Sequence, residues 1–312
     1  MEYIENDKIP KRIVDVRKEW AASDAKRDAG LQEPEDIRAV KDISYGPYDK
    51  WNLLDVYRPI AAEGKLPVII NIHGGGYFYG DKELYRFYSM RMAQGGFAVV
   101  NFNYRLAPEF NFPSPLEDTS RVLKWIDDNA DEYGIDKENV FIIGDSAGAQ
   151  LASQYAAIHT NPEYAALFSF DTVNGCKISG LGLACGVYRI KYRIEHDKEG
   201  NTFSDYLGDK TDKNDPILDM QKYVTADYPP AYVFSSYCDF LMEECGPFEE
   251  FLKEKGVDVE SHIYGTPEAK EIAHVFHCNL RLEEGEKANR AQIDFFKRHI
   301  VKQGSKQIQC EI

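Results

Sequence analysis

The stretch VFIIGDSAGAQL, residues 140–151, decides how this chain folds. Val140 to Ile143 is a short apolar run without polar alternation, the pattern of a strand buried on both faces. From Ala147 a small-residue helical pattern runs on to Ile158. Between them stands Gly144-Asp145-Ser146-Ala147-Gly148, a G-x-S-x-G. A strand turning directly into a helix lifts Ser146 onto a sharp bend, where small neighbours relieve the crowding and the helix dipole favours negative charge. Ser146 could instead be a plain helix N-cap. The buried strand before it and the Ala-rich helix after it favour a nucleophile.

A second stretch, VIINIHGGGYFYG at residues 68–80, is another buried run, stopped by His73 and the three glycines Gly74, Gly75 and Gly76. Glycine frees the backbone for close approach by another group. A serine attacking an ester generates an oxyanion that needs preorganised N–H donors, each worth about 3 to 4 kcal/mol of barrier. The glycine loop can turn such donors inward, and the N–H of Ala147, just after the nucleophile, would join them.

Outward from these two stretches, strands alternate with helices. Buried runs at residues 68–72, 98–102, 140–143, 178–184, 232–235 and 259–264 are separated by helical patterns at 83–94, 116–129, 147–158, 242–255 and 286–298. A hairpin, residues 42–45 with 52–57, precedes them. This is the α/β pattern of a mainly parallel sheet covered on both faces. Two segments break the rhythm. Residues 1–40 are charged and helical in period, and residues 188–223 are polar, aromatic and irregular. Insertions beyond the carboxyl ends of strands lie over the site, so both are expected as cap pieces on a catalytic domain of residues 41–312.

The bulk numbers set limits. With 312 residues and 43% hydrophobic content the chain can bury one large core. A net charge of -15, mixed along the chain, speaks against nucleic acid and anionic membranes as partners. The first 20 residues lack the apolar core of a secretory signal, and the six cysteines form no CxxC pair, so a cytoplasmic location with reduced thiols is expected. A homodimer is admitted, though no residue pattern indicates one.

A serine nucleophile needs a base and a carboxylate to hold that base, and after a strand-to-helix nucleophile turn of this kind the expected chain order is Ser, acid, His. Asp239 lies just past the run at 231–236, with Glu243 as the alternative acid, and Asp239 could also merely cap the helix that follows. His274 follows the last strand. His277, three residues on, is expected near the site or at the surface. Glu271, His274, His277 and Cys278 lack the HExxH helix of a zinc protease, and no GK[ST] follows the glycines. No cofactor and no metal are implied.

HGGGYFYGD (73–81), YRLAPE (104–109) with Phe112-Pro113 and Asp118 behind it, and GDSAG (144–148) together resemble the hormone-sensitive-lipase family, also called bacterial family IV esterases. The resemblance covers roughly residue 40 onward. It implies the α/β-hydrolase fold, a mostly parallel eight-stranded sheet flanked by helices, with a small helical cap. It also implies a carboxylesterase acting on short acyl chains, acetyl to butyryl, with Ser146, Asp239 and His274 catalytic. Of the glycines, Gly75 and Gly76 would point into the oxyanion hole ahead of Gly74. Asp145 and Glu109 would be anchors near the site. The chain departs from the family's D-P-L-x-D-E block with Phe240 for proline and Glu243 for aspartate, and from its H-G-F with Val275 for glycine. Tyr77 and Phe78, beside the glycines, and Tyr188, Tyr192 and Tyr206 from the cap are candidates for the substrate pocket. A small-molecule ester, such as an acetylated sugar, is the expected partner. An amidase, formamidase or lactonase would use the same scaffold. A non-catalytic receptor like the plant gibberellin receptor lacks the histidine that is present here.

Overall fold

The computed structural model describes residues 9–196, 202–208, 212 and 215–301. Among these, eight strands form one sheet: β1 (Ile37–Ser44), β2 (Leu53–Pro59), β3 (Leu66–Ile72), β4 (Ala98–Phe102), β5 (Ile135–Asp145), β6 (Ile178–Ala184), β7 (Ala231–Ser236) and β8 (Val259–Tyr264). Their order is β1-β2-β4-β3-β5-β6-β7-β8. β1 and β2 pair antiparallel, as do β2 and β4, and every other neighbouring pair is parallel. The helices are α1 (Lys11–Asp28), α2 (Arg86–Ala93), α3 (Ser114–Asn129), α4 (Ala147–Thr160), α5 (Pro162–Ala165), α6 (Ile190–His196), α7 (Thr202–Leu207), α8 (Cys245–Glu254) and α9 (Glu283–Arg298).

Strand alternation divides the core into two layers. Val68, Ile70, Val140 and Ile142 face a layer that includes Leu123 of α3, Leu151 of α4 and Phe248 of α8. Their neighbours Ile69, Phe141 and Ile143 face the other side, against Met90 and Met92 of α2 and Ile293, Phe295 and Phe296 of α9. With both faces covered, the central strands read as mainly apolar runs, and the buried polar residues within them are paired, as Asn71 is with Asn101 at 3.1 Å. Each large apolar side chain contributes about 1.5 to 3 kcal/mol by burial, so Ile70→Ala in the middle of β3 would cost about 2 to 5 kcal/mol.

Local chemistry shifts some expected boundaries. The helical pattern from Glu83 gives a helix only from Arg86, because Asp81 Oδ1 accepts from the N–H of Leu84 at 3.0 Å and holds the preceding residues in a turn. Within the first 40 residues the described part contains one helix, α1. Gly30 at φ 79° ends that segment, and β1 begins at Ile37, so the strand takes the last four positions expected for the cap. Of the segment 188–223, α6, α7 and two 3-10 turns, Pro216–Leu218 and Met220–Tyr223, are described. Residues 197–201, 209–211 and 213–214 of that segment lie outside the described residues, as do 1–8 and 302–312 with Cys310.

No helix among the described residues is long and apolar enough to cross a membrane.

A buried arginine, with Asp24 and Arg27 further along the helix, joins α1 to the sheet domain. Arg17, 2% exposed, donates to the carbonyls of Phe78 at 2.7 Å and Ala107 at 3.0 Å and to both carboxylate oxygens of Glu109 at 2.9 and 2.8 Å. Ile13 packs with Phe78 and Tyr79 beneath it. The helix thereby lies across the loop that follows β3.

Candidate active site

The carboxyl ends of β3, β5, β6 and β7 converge on one edge of the sheet. Ser146, between β5 and α4, has φ 52° and ψ -117°, and its N–H donates to the carbonyl of Ala184 at 2.9 Å. A non-glycine residue in this conformation costs on the order of 1 to 3 kcal/mol, and the surrounding packing enforces it. The flanking glycines are steric necessities. A Cβ on Gly144 would lie 2.4 Å from the Gly148 carbonyl, and one on Gly148 would lie 2.0 Å from the carbonyl oxygen of Ile72.

His274 reaches this serine from the loop after β8. Its Nε2 is 3.0 Å from Ser146 Oγ, and its Nδ1 is 2.7 Å from Asp239 Oδ1. Asp239 stands past β7 and also accepts from the Ser235 hydroxyl at 2.6 Å and the Leu241 N–H at 2.9 Å. Burial pushes the Asp239 carboxyl up, but the hydrogen bond and charge of His274 with these two donors leave it below the ordinary value. A bridge between Cys238 and Ala273 ties the acid's loop to the base's loop. The alternative acid, Glu243, is exposed.

Val275, next to His274, sits at φ 54°, a conformation that glycine takes freely and a β-branched residue does not. This is the position where the family pattern has glycine.

The glycine loop opens toward Ser146. Gly75 and Gly76 have φ 108° and 59°, and a Cβ on Gly75 would lie 2.0 Å from the Tyr79 carbonyl oxygen. Among the described residues neither N–H donates to a protein acceptor, and Ala147, at the first turn of α4, carries one of the donors that every helix start leaves unpaired. Gly74 differs. Its N–H donates to Asp145 Oδ1 at 3.2 Å and to the Tyr85 hydroxyl oxygen at 3.1 Å, so its expected place in the oxyanion hole is corrected to an anchoring one. Asp145 also accepts from the Tyr85 hydroxyl at 2.8 Å; burial pushes its carboxyl up to about 6, with Tyr85 opposing.

His73 stacks on Tyr104 at 4.1 Å and donates from Nδ1 to the Gly74 carbonyl at 2.7 Å; burial brings its pKa down to about 4 and keeps the ring neutral. His277 is buried at 1% exposure, which corrects the surface alternative. Burial, then the charge of His274, lowers its pKa to about 3.

A cavity of about 300 Å³ lies over Ser146 and His274, bounded by the glycine loop, Tyr77, Val187, Phe203 and Phe240, with Trp20, Asp24 and Arg27 of α1 at its side. Tyr77 lines it, with its ring stacked on Tyr206 at 3.9 Å and 4°. The other four pocket candidates do not line it. Phe78 turns away to stack on Trp20 at 5.4 Å and packs with Ile13 beneath α1. Tyr188 folds back over Gly186, which has no side chain to block it, and stacks on Phe248 at 3.9 Å in the core. Tyr206 is fully buried behind Tyr77, and Tyr192 is exposed.

Trp20, Val187, Phe203 and the hydroxyl of Ser235 were not anticipated from the sequence. Ser235 has a faint signal, a polar residue in an apolar strand four positions before the acid. Trp20 has none, since the charged residues of α1 leave no clear apolar face to place it on.

A model of the BD-FAE family matches residues 54–246. The versiconal hemiacetal acetate esterase of Dothistroma septosporum is 31% identical over 232 residues, 68% of this chain and 69% of that protein. The ethyl acetate hydrolase of Pseudomonas putida is 25% identical over 257 residues, 79% of each chain. Two Mycobacterium tuberculosis esterases, LipQ and LipM, match in part, the chain covering 30% and 29% of their lengths at 36% and 35% identity. Among solved structures, esterase B of Lactobacillus rhamnosis superposes with a TM-score of 0.82 at 26% identity, over 92% of this chain and 94% of that one.

Proposed function

The chain belongs to the BD-FAE family and is a carboxylic ester hydrolase of the hormone-sensitive-lipase-like α/β-hydrolases, and from that premise we propose that it cleaves short-acyl esters through an acyl-enzyme on Ser146. The observation that carries this reading is the unbroken chain Ser146 Oγ to His274 Nε2 at 3.0 Å and His274 Nδ1 to Asp239 Oδ1 at 2.7 Å. His274 takes the serine proton as Oγ attacks the ester carbonyl. Asp239 holds the imidazole with Nδ1 protonated, so that Nε2 is the acceptor, and stabilises the imidazolium that forms. The N–H groups of Gly75, Gly76 and Ala147 receive the developing oxyanion in a site whose donors are already oriented. When the tetrahedral adduct collapses, His274 passes its proton to the departing alkoxide. Water then enters, gives a proton to His274, and the second adduct releases the acid and restores Ser146.

The cavity volume of about 300 Å³, closed on one side by the Tyr77–Tyr206 stack, supports an acyl group of few carbons. Two of the relatives are named for acetate esters, which agrees with it. A cytoplasmic location is part of this reading, resting on six cysteines in the sequence without a CxxC pair. The cap of this reading comprises the N-terminal segment with α1 and the segment 188–223. The test is a series of p-nitrophenyl esters from acetyl to octanoyl, with Ser146→Ala as control. Rates should fall as the acyl chain lengthens; a preference for octanoyl would refute the short-acyl assignment.

A further inference from the structure

We propose that Phe240 forms a leaving-group subsite that selects esters of flat aromatic alcohols; this deepens the esterase reading above and rests on it. Phe240 is 73% exposed, more than any other large hydrophobic side chain among the described residues. It is not a stray surface residue. Its ring centroid lies 4.3 Å from the His274 imidazole, tilted by 43°, and the residue lines the cavity over Ser146. One side of the ring is therefore covered by the imidazole and the rest is left to solvent.

The chemistry fixes which half of the substrate meets it. The leaving oxygen must sit within hydrogen-bond reach of His274 Nε2 to receive its proton, so the group attached to that oxygen departs past whatever covers the imidazole. Phe240 occupies that place. The acyl group lies on the other side of the scissile bond, toward Tyr77 and Phe203. Trp20, 38% exposed, borders the same cavity and presents a second aromatic surface. An exposed ring gains most from a partner that can stack offset or meet it edge to face, and a flat alcohol does so with few rotatable bonds to immobilise. Proline at this position, as in the family pattern, has no π face to offer.

The alternative is that Phe240 only shields the His274–Asp239 pair from water, which would affect all esters alike. The experiment separates the two. Values of kcat/KM are measured for phenyl acetate and hexafluoroisopropyl acetate, whose alcohols are of similar acidity although only one is a flat ring, with wild type, Phe240→Ala, Phe240→Leu and Phe240→Tyr. The aryl-to-alkyl ratio should fall about tenfold in Phe240→Ala, by less in Phe240→Leu, and stay within about twofold in Phe240→Tyr. A ratio unchanged in Phe240→Ala, with both rates falling together, would overturn the subsite while leaving the esterase reading intact. Failure of the wild type to hydrolyse either ester would overturn both. The exposure of the side chain means that these variants should fold, which circular dichroism checks.

Discussion

The carboxyl edge of the sheet and the proposed cap beside it are built by different means. At the edge, the backbone does the specifying. Tyr77, Ser146, Cys185 and Val275 all have positive φ there, and beside them Gly75, Gly144 and Gly148 leave no room for a Cβ. Of the other non-glycine residues with positive φ, Asp42 and Asp49 lie at the β1–β2 hairpin. In the cap, side chains do the joining: Arg17 on Glu109, Trp20 on Phe78, and Tyr77 on Tyr206. Backbone strain fixes atoms that must not move during reaction and tolerates little substitution. Side-chain contacts can be exchanged one at a time, so these residues, like the exposed Phe240 beside the edge, can change substrate preference without rebuilding the strained backbone around Ser146.

The sharpest break in this comparison is Ser146→Ala, which should lower kcat on the order of a millionfold while leaving the melting curve intact or raised, since it removes a hydroxyl but no core contact. Next comes Asp239→Asn, expected to lower kcat by about ten-thousandfold because the amide favours the wrong imidazole tautomer. The same variant carries a pH signature. Asp239 is held below 3.8, so its contribution to stability is present above that value and is lost as pH falls through the lower folded value. The stability gap between wild type and Asp239→Asn should be full at neutral pH and close in acid, as urea denaturation would read.

Gly75→Ala tests the edge by its backbone alone. A methyl 2.0 Å from the Tyr79 carbonyl must displace the loop, and kcat should fall by about a hundredfold to a thousandfold. On the cap side, Arg17→Met leaves Glu109 without its partner and should cost about 3 kcal/mol, raising KM more than it lowers kcat as α1 loosens from the loop. An equal loss in kcat would show that the cap orders the catalytic edge and would erase the distinction. The smallest effect is a gain: Val275→Gly at φ 54° should stabilise the fold by about 1 kcal/mol, read as a higher melting temperature.

The same contrast explains what the sequence made legible. Buried runs and the G-x-S-x-G turn are local, since each strand and its bend lie within a dozen residues, and they named the sheet and the place of Ser146. Asp239 and His274 could be picked out because strand ends and chain order restrict where an acid and a base can stand. The cap was legible only as a departure from rhythm. Arg17 meets partners 61 to 92 residues away, and nothing in a charged helix announces that one of its arginines is buried. Phe78 and Tyr188 were misplaced for a related reason: the direction of a side chain on an irregular loop is set by what packs beside it, here Trp20 and Phe248. Gly74 was misread because a glycine's freedom says nothing about where its N–H points, and Asp145, 71 residues on, is what accepts from it.

Whether Ser146 is the nucleophile beneath the glycine loop is decided by treating the protein with a fluorophosphonate and locating the adduct by peptide mass spectrometry. One phosphonyl group per chain is expected, on the peptide containing Ser146, formed at a rate that collapses when His274 is changed to alanine. An adduct on another residue, or full ester hydrolysis by a protein that takes up no label, would contradict it.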